Sequence, residues 1–547
     1  MLFATCVYST YNENMVIIAL TKDLKMWINS LEKAGLLHKE SNLIDIRNCS
    51  AIIAANHNRA TLFEKIADYS MPVIANATSS RAMIALALET EEQNVLKEYM
   101  SRIARPIPPI YSNDGECQER VTSGADVDLT SLPILFQHEL DGAPYISAGM
   151  VVAKDPETLD YDIGIYRLMF RKKNELGINM SYQHRLRSFY QKACQNNKPL
   201  EIAICIGLHA LDMLAAVTTA PVGIDELSVW GGIRREPINL ARCKTVDLCV
   251  PAHAEIVLEA TIQPTGWTEN EGPYGEFPGT YSGVRRNPVV KIHAVTNRHS
   301  PIYQSATHGG EHLGFTDFFL VVLPTELSIY QALKHAGVDV RAVRVIPWSA
   351  GMICYVSINK QTEGESRNAL YVALTSPRRT FPKYCIVVDA DIDIFNEHAV
   401  MWAIGTRTQP KEDVLILEGL RISSAADPSL SGPPFFASKM GIDATVPIEK
   451  RSKFEFSRVP SIECEKEEIG TINGQRSNID RKVEFLQGAI MKSMQQSGPL
   501  LFCDILKMFP NQSYRSILSA WSSLRSDDLI SESETGRYTY TESGGKK

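Results

Sequence analysis

The chain has 547 residues, of which 44% are hydrophobic and 22% charged, and its formal net charge is -7. This composition is typical of a globular protein of roughly two to four domains and indicates neither a nucleic-acid nor a membrane partner. The eleven cysteines are scattered without a CxxC pair, which argues against a zinc ribbon and favours buried thiols in a reducing cytoplasm. The amino-terminal stretch lacks signal-peptide features, and no apolar run reaches the roughly 18 residues of a membrane span.

The first part of the chain, residues 1–125, is predicted to be an α/β domain. TKDLKMWINSLEKAG has helical spacing, with Thr21 or Asp23 as its cap and Gly35 at its end. Its apolar face holds Leu24, Trp27, Ile28 and Leu31. The segments AIIAAN, MPVIAN and SRAMIALAL that follow are predicted to be short apolar strands alternating with helices.

The middle of the chain, residues 126–310, is predicted to be a mostly antiparallel β core. YISAGMVVAKD, YDIGIYRLMFRKK, GINMS, EIAICIGL, TVDLCVPAHAEIVLEATI and PVVKIHAVTNR are rich in β-branched residues and separated by turn signals. QHRLRSFYQKACQNN and ALDMLAAVT are the predicted helices. Strand–helix alternation returns over residues 311–460, where CIVVD has the pattern of a strand buried on both faces.

The tail, residues 461–547, is predicted to be a linker followed by a small helical module. Three helix-like stretches and a final hairpin, LISESETGRYTYT, indicate a winged-helix shape. From Arg481 onward nine Lys/Arg stand against seven Asp/Glu without a basic stripe. Binding to phosphates depends on clustered basic residues, so a protein–protein or self-assembly role is favoured over nucleic-acid binding.

NEGPYGEFPGTYS places Glu271 and Glu276 on one short loop rich in glycine and proline. One interpretation is a hairpin turn with solvated carboxylates. The other is a rigid loop that holds two acids in different environments: one paired with a cation, the other less paired, drier and able to donate a proton. The second interpretation requires an arginine nearby.

Arg167, near the end of the predicted strand YDIGIYR, is the candidate cation. Alternation places it on a face with two isoleucines, and Asp162 and Tyr166 on the other face. Arg167 is therefore either an exposed, snorkelling side chain or a buried and paired one.

Further candidate ligands lie in YQH, with Gln183 and His184, and in GIDELSVWGG, where Glu226 is predicted to lie in a loop. With Asp162, these are residue types that bind Mn²⁺ or Mg²⁺. A competing site is THGGEHLG, where His308, Glu311 and His312 could serve a metallohydrolase. The two glycines argue against a helix there, and the order H-E-x-x-H is absent.

Taken together, these motifs resemble the UbiD family of decarboxylases. The motifs are DIGIYR, YQH, PVGIDELSVWGG, VPAHAEIVLEA, ENEGPYGEFPGTYS, VVDADIDIF, MWAIGTR and KMGIDAT, in the family's order and over residues 22–450. The resemblance implies an α+β fold with an amino-terminal α/β domain, a central split β-barrel related to flavin reductases, and a carboxy-terminal α/β oligomerisation domain. The winged-helix-like tail is not part of that pattern.

The resemblance also implies a carboxy-lyase that uses prenylated FMN to remove CO₂ from an aromatic or α,β-unsaturated acid, reversibly in some members. Arg167 and Glu271 are then an ion pair, and Glu276 is the acid that protonates the carbon. The flavin is expected to contact Ile165, Tyr166, Arg167 and Gln183, with Lys383 near its phosphate.

The family's divalent metal, usually Mn²⁺, is expected at Asp162, His184 and Glu226, with Mg²⁺ as the alternative. Asp162 stands where the family has asparagine, which adds a negative charge. A K⁺ ion is expected at the backbone carbonyls near Ala215 to Thr218 together with the Glu226 carboxylate. The expected partners are a flavin prenyltransferase, a small carboxylic acid and further copies of the chain, as a dimer or hexamer. The expected location is the cytoplasm, and the alternative function is an inactive binding or assembly protein.

Overall fold

The computed structural model describes residues 22–180, 184–221, 223–307, 319–376, 382–422, 427–430, 436–454, 479–533 and 536–541. The chain divides into two compact units, Met1–Arg451 and Ser452–Lys547. None of the helices in the described ranges is both long and apolar enough to cross a membrane.

The amino-terminal segment packs helices on a four-stranded sheet of its own three strands, in chain order, followed by the later strand Tyr303–Ser305. Its elements are α1 (Leu24–Lys33), β1 (Leu37–Ile44), α2 (Cys49–Ala55), β2 (Ala60–Ile66), β3 (Val73–Ala75), α3 (Arg81–Ala87) and α4 (Val95–Ile103). Asp23 caps α1 by accepting the Met26 N–H at 2.9 Å, and the predicted apolar face is buried. AIIAAN lies in α2, whereas MPVIAN contains β3 and SRAMIALAL contains α3.

The central region contains a closed barrel of six antiparallel strands, β12-β9-β6-β7-β8-β15, closed by pairing of β15 with β12. Its elements, with two strands that precede it, are β4 (Ile110–Ser112), β5 (Arg120–Ser123), β6 (Tyr145–Lys154), β7 (Tyr161–Lys172), β8 (Glu175–Ile178), α5 (Arg185–Gln195), β9 (Leu200–Ile206), α6 (Ala210–Val217), α7 (Glu226–Arg234), β10 (Asn239–Arg242), β11 (Cys249–Pro251), β12 (Ile256–Ile262), β13 (Glu269–Glu271), β14 (Arg285–Asn287), β15 (Val289–Asn297) and β16 (Tyr303–Ser305). The predicted antiparallel core is confirmed.

Strand β9 shows why these strands read as continuous apolar runs. Ile202, Ile204 and Ile206 lie in one apolar cluster, and Ala203 and Cys205 lie in another. Both faces of the strand are therefore buried, and successive residues serve different cores. Two strands outside the barrel continue its pairing or join another sheet. Strand β5 pairs with β15, and β16 joins the amino-terminal sheet beside β3.

The carboxy-terminal region of the first unit is a five-stranded sheet of order β17-β18-β19-β21-β20 with helices packed on it. Its elements are α8 (Phe319–His335), β17 (Val340–Val345), β18 (Ile353–Ile358), α9 (Glu365–Thr375), β19 (Tyr384–Asp389), α10 (Glu397–Arg407), α11 (Pro410–Asp413), β20 (Val414–Arg421) and β21 (Phe436–Ala444). CIVVD forms most of β19, which lies between two parallel neighbours, as its apolar run predicts.

The second unit has three helices followed by a hairpin, as predicted. Its elements are α12 (Ile479–Ser497), α13 (Phe502–Met508), α14 (Tyr514–Ser526), β22 (Ile530–Glu532) and β23 (Tyr538–Tyr540). Leu486, Ile517, Trp521 and Leu524 belong to a core of its own. The unit therefore has the interior of a small independent domain.

Candidate active site

Arg167, on β7, forms ion pairs with Glu271, the last residue of β13, and with Glu276 in the loop that follows it. Its Nε donates to Glu271 Oε1 at 2.8 Å and its Nη2 to Glu271 Oε2 at 3.0 Å. Its Nη1 donates to Glu276 Oε1. The side chains of Arg167 and Glu271 are 8% and 0% exposed. Of the two interpretations of Arg167, the buried and paired one is confirmed, and the solvated-turn interpretation of the loop is wrong.

The surroundings of this cluster favour charge on Arg167. Burial alone favours the neutral guanidinium, but the carboxylates of Glu276 and Glu271 raise the pKa of Arg167 above its usual value. The guanidinium also lies 4.6 Å from the centre of the Tyr274 ring, within cation–π range. Burial raises the pKa values of Tyr274 and Tyr145, and the Glu271 charge adds to the shift for Tyr145. Both phenols therefore stay protonated beside the arginine.

The two acids differ in their contacts as predicted, but not in their exposure. Glu271 has the two-point contact to Arg167 and is wholly buried, whereas Glu276 has a single contact and a side chain that is 10% exposed. Glu276 is thus the less paired acid, as predicted. It is not the drier one, because the second half of the loop lies nearer to solvent.

The backbone between Glu271 and Glu276 is held by the segment before β6 and by the first residue of β6. The Gly275 N–H donates to Asp141 Oδ1 at 2.8 Å, and the Gly142 N–H donates to the Pro273 carbonyl at 2.8 Å. The Gly272 N–H donates to the Tyr145 hydroxyl at 3.1 Å. These contacts hold the backbone on both sides of the cis Gly272–Pro273 peptide bond.

Two glycines allow this close approach of the two segments. A Cβ on Gly142 would lie 2.3 Å from the Gly272 carbonyl oxygen, and one on Gly275 would lie 2.2 Å from the His138 ring. Asp141, Tyr145 and Tyr274 were missed in the sequence analysis. The dipeptide Asp141-Gly142 was a turn signal, but nothing in the sequence showed which loop it would contact.

A second cluster, the Asp162–Glu226 pair, contains two of the three predicted metal ligands. Glu226 is the first residue of α7, so its predicted loop position is wrong. Its Oε1 accepts from Arg185 Nη1, and its Oε2 accepts the Ile163 N–H at 3.2 Å. Asp162 Oδ1 lies 3.7 Å from Arg185 Nε. Burial and the Glu226 charge raise the pKa of Asp162 to about 7, and burial raises that of Glu226.

His184 lies at the N-cap of α5, so it stands at the start of a helix as predicted. Its ring packs edge-on against Tyr166 at 5.1 Å, and Ile165 packs against the apolar core. Within the described ranges no group of three His, Cys, Asp or Glu residues is arranged to hold a metal. Two carboxylates that face one cation nevertheless form the oxygen-rich donor set that Mn²⁺ or Mg²⁺ prefers, and His184 directly precedes that cation in the chain.

The remaining predicted residues are more scattered. Lys383 Nζ contacts Asp427 at 2.8 Å and Ser429 at 3.0 Å, so its charge already has a protein partner. At the end of α6, the Ala215 carbonyl accepts the Thr218 N–H at 3.0 Å. Four other predicted residues lie outside the described part of the chain: Gln183, His308, Glu311 and His312.

Most of the first unit matches three family models in order. They describe the amino-terminal, Rift-related and carboxy-terminal domains of 3-octaprenyl-4-hydroxybenzoate carboxy-lyase, over residues 28–103, 110–312 and 318–444. The models leave out the small second unit.

Full-length relatives agree with these matches. The chain is 32% identical over 435 residues to an anhydromevalonate phosphate decarboxylase of Methanothermobacter thermautotrophicus, which covers 78% of this chain and 98% of the relative. It is 33% identical over 450 residues to a phenolic acid decarboxylase of Sedimentibacter hydroxybenzoicus, which covers 78% and 92%.

Solved structures give the same result. The UbiD-class enzyme HmfF of Pelotomaculum thermopropionicum, in complex with FMN, superposes with a TM-score of 0.74 at 31% identity, covering 80% of this chain and 97% of HmfF. An evolved dimeric form of that enzyme, in complex with prenylated FMN, has a TM-score of 0.72. The chain belongs to the UbiD family of carboxy-lyases.

Proposed function

We propose that this chain is a prenylated-FMN-dependent decarboxylase acting on an aromatic or α,β-unsaturated carboxylic acid. The observation that carries the proposal is the buried contact of Arg167 with both Glu271 and Glu276. Relatives named as decarboxylases support the reaction class, and neighbours in complex with FMN and prenylated FMN support the cofactor.

Glu271 fixes the arginine in this proposal. Its two-point contact orients the guanidinium plane and leaves one edge, at Nη1, for Glu276 or a substrate carboxylate. Because both partners are buried, water cannot take the place of one partner when the other is removed. Arg167 then holds the substrate carboxylate against the flavin.

Glu276 supplies the proton, which it takes up from solvent before each turnover through its 10% exposed side chain. When the bond between the substrate carbon and its carboxylate breaks, CO₂ leaves and the electron pair stays with the substrate. Bound prenylated FMN supplies the electron sink for that step. The Glu276 O–H bond then breaks and a C–H bond forms, which leaves a carboxylate beside Arg167 that the guanidinium stabilises. In the carboxylation direction the same carboxylate removes the proton.

The cofactor is held by residues of the barrel and its flanking helices. Ile165, Tyr166, Arg167 and Gln183 would contact the flavin. Asp162, His184 and Glu226 would hold a Mn²⁺ or Mg²⁺ ion that neutralises its phosphate, and Lys383 would have to leave Asp427 to contribute. A K⁺ ion near residues 215–218 and a homo-oligomer belong to the same proposal.

The test is to co-express the chain with a flavin prenyltransferase, record its absorption spectrum, and screen aromatic and acrylic acids for CO₂ release. A bound modified flavin with substrate-dependent CO₂ release supports the proposal. The alternative, an inactive binding protein, would be favoured if the chain binds flavin but releases no CO₂ from any acid of the panel and exchanges no solvent hydrogen into those acids. The intact Arg167–glutamate cluster does not favour that alternative.

A further inference from the structure

The charges of the Asp162–Glu226 pair are incompletely balanced. The two carboxylates have side chains that are each 9% exposed, whereas the side chain of Arg185, their shared cation, is 46% exposed. Two buried carboxyl groups thus share one half-exposed positive charge.

Asp162 contributes most of this imbalance. Its carboxylate has no hydrogen-bond partner among the described residues, and its ion-pair contact with Arg185 Nε is long, at 3.7 Å. Glu226, by contrast, accepts from Arg185 and from the Ile163 N–H. A second, smaller cation would therefore gain most of its binding energy from the Asp162 oxygens, which accept no hydrogen bond from the described residues.

Arg185 can leave this position at little cost. Its guanidinium lies 5.5 Å from the centre of the Phe189 ring, one helical turn further along α5, and half of its side chain is exposed. Rotation towards solvent would restore hydration of the charge, while the aliphatic part of the side chain stays on the helix surface. A divalent ion, by contrast, would contact both carboxylates at once.

We propose that Arg185 is an internal competitor for the divalent cation: it neutralises the Asp162–Glu226 pair in the metal-free chain, and the incoming ion displaces it. The inference rests on the proposed function only for the identity of the ion, Mn²⁺ or Mg²⁺. It also assigns a role to the aspartate at position 162, whose extra charge strengthens cation binding and makes an internal counter-ion necessary.

The test is titration of the flavin-free full chain with Mn²⁺ alone, with the free ion followed by its electron paramagnetic resonance signal. We expect Arg185→Gln to bind Mn²⁺ about tenfold more tightly than the wild type, because the ion no longer has to displace the charged contact of Arg185 with Glu226, and about 1.4 kcal/mol corresponds to a tenfold change in affinity. Asp162→Asn and Glu226→Gln should each weaken binding by a similar factor.

Arg187→Gln is the matched control, because it removes the same charge from the same helix. Arg187 donates to the Met180 carbonyl and stacks on Trp267 rather than contacting the pair. Equal tightening in Arg187→Gln, unchanged affinity in Arg185→Gln, or no Mn²⁺ binding in any variant would overturn the inference. If Arg185→Gln does not fold, Arg185→Lys should bind more tightly than wild type, because a single ammonium cannot contact both carboxylates as the guanidinium does. Equal affinity of the lysine variant and wild type would then overturn it.

No flavin is present in this assay, so its failure leaves the decarboxylase proposal intact. The flavin spectrum and CO₂ release decide that proposal separately.

Discussion

The two glutamates that contact Arg167 should be separable by mutation, because only one of them fixes the arginine. Replacing Glu271 with glutamine removes the charge from a two-point contact inside a wholly buried pair. Replacing Glu276 with glutamine changes a single contact at a side chain that is 10% exposed. We therefore expect stability to depend mainly on Glu271 and turnover on Glu276.

The magnitudes follow from these contacts. Removing one partner of a buried ion pair costs about 3–5 kcal/mol, and the remaining Glu276 contact places Glu271→Gln near the lower end, about 3 kcal/mol. Glu276→Gln weakens one hydrogen bond to a charged group and should cost about 1–2 kcal/mol. Because it cannot donate an acidic proton, it should lower turnover by about 10²- to 10⁴-fold while keeping the flavin.

The assay combines urea unfolding of both variants with flavin absorbance and CO₂ release. Gln137→Leu is a further comparison, since Gln137 lies near Tyr274 without contacting the arginine. Equal stability losses in the two glutamate variants would contradict the assignment of Glu271 as the residue that fixes Arg167. Normal turnover in Glu276→Gln would contradict its assignment as proton donor.

Three further predictions concern stability. Asp141→Ala should cost about 2–4 kcal/mol in urea unfolding, because it leaves the buried Gly275 N–H without its acceptor, while Asp141→Asn should recover part of the loss. Burial lowers the pKa of His209 from 6.5 to about 3, and its Nδ1 accepts the Leu211 N–H, so the folded chain keeps it neutral. As the pH falls, the unfolded chain protonates His209 before the folded chain does, so the free energy of unfolding should fall between pH 6.5 and about 3. His209→Asn should reduce this dependence of stability on pH. An unchanged dependence would refute the assignment. Glu326→Gln should cost about 3 kcal/mol of unfolding free energy, because it removes the buried partner of Arg81 at the start of α3. A loss below about 1 kcal/mol, which is the range of a surface ion pair, would refute this prediction.

Local pattern predicted the elements well where burial has a simple period. The apolar face and cap of α1 and the apolar runs within β9 and β19 appear where the sequence indicates them. AIIAAN was ambiguous because a short apolar run fits a strand or a buried helix, and in α2 the helix formed. Glu226 was assigned to a loop because the glycines of its motif mask the helical spacing of α7.

The site was predictable in its residue types but not in its contacts. The resemblance selected Arg167, Glu271 and Glu276, and the structure brings these three together. The supporting contacts of Asp141 depend on a loop more than 130 residues further along the chain, which no local pattern encodes. Arg185 was overlooked for the same reason, because its role follows from two carboxylates on different elements.

The most direct test of the account is the absorption spectrum and metal content of the chain co-expressed with a flavin prenyltransferase, measured for wild type and for Arg167→Met. The account predicts a modified-flavin spectrum with about one Mn²⁺ per chain in the wild type, as one site with three protein ligands would give. It also predicts loss of substrate-dependent CO₂ release in Arg167→Met. A colourless, metal-free wild-type protein, or release that does not depend on Arg167, would contradict it.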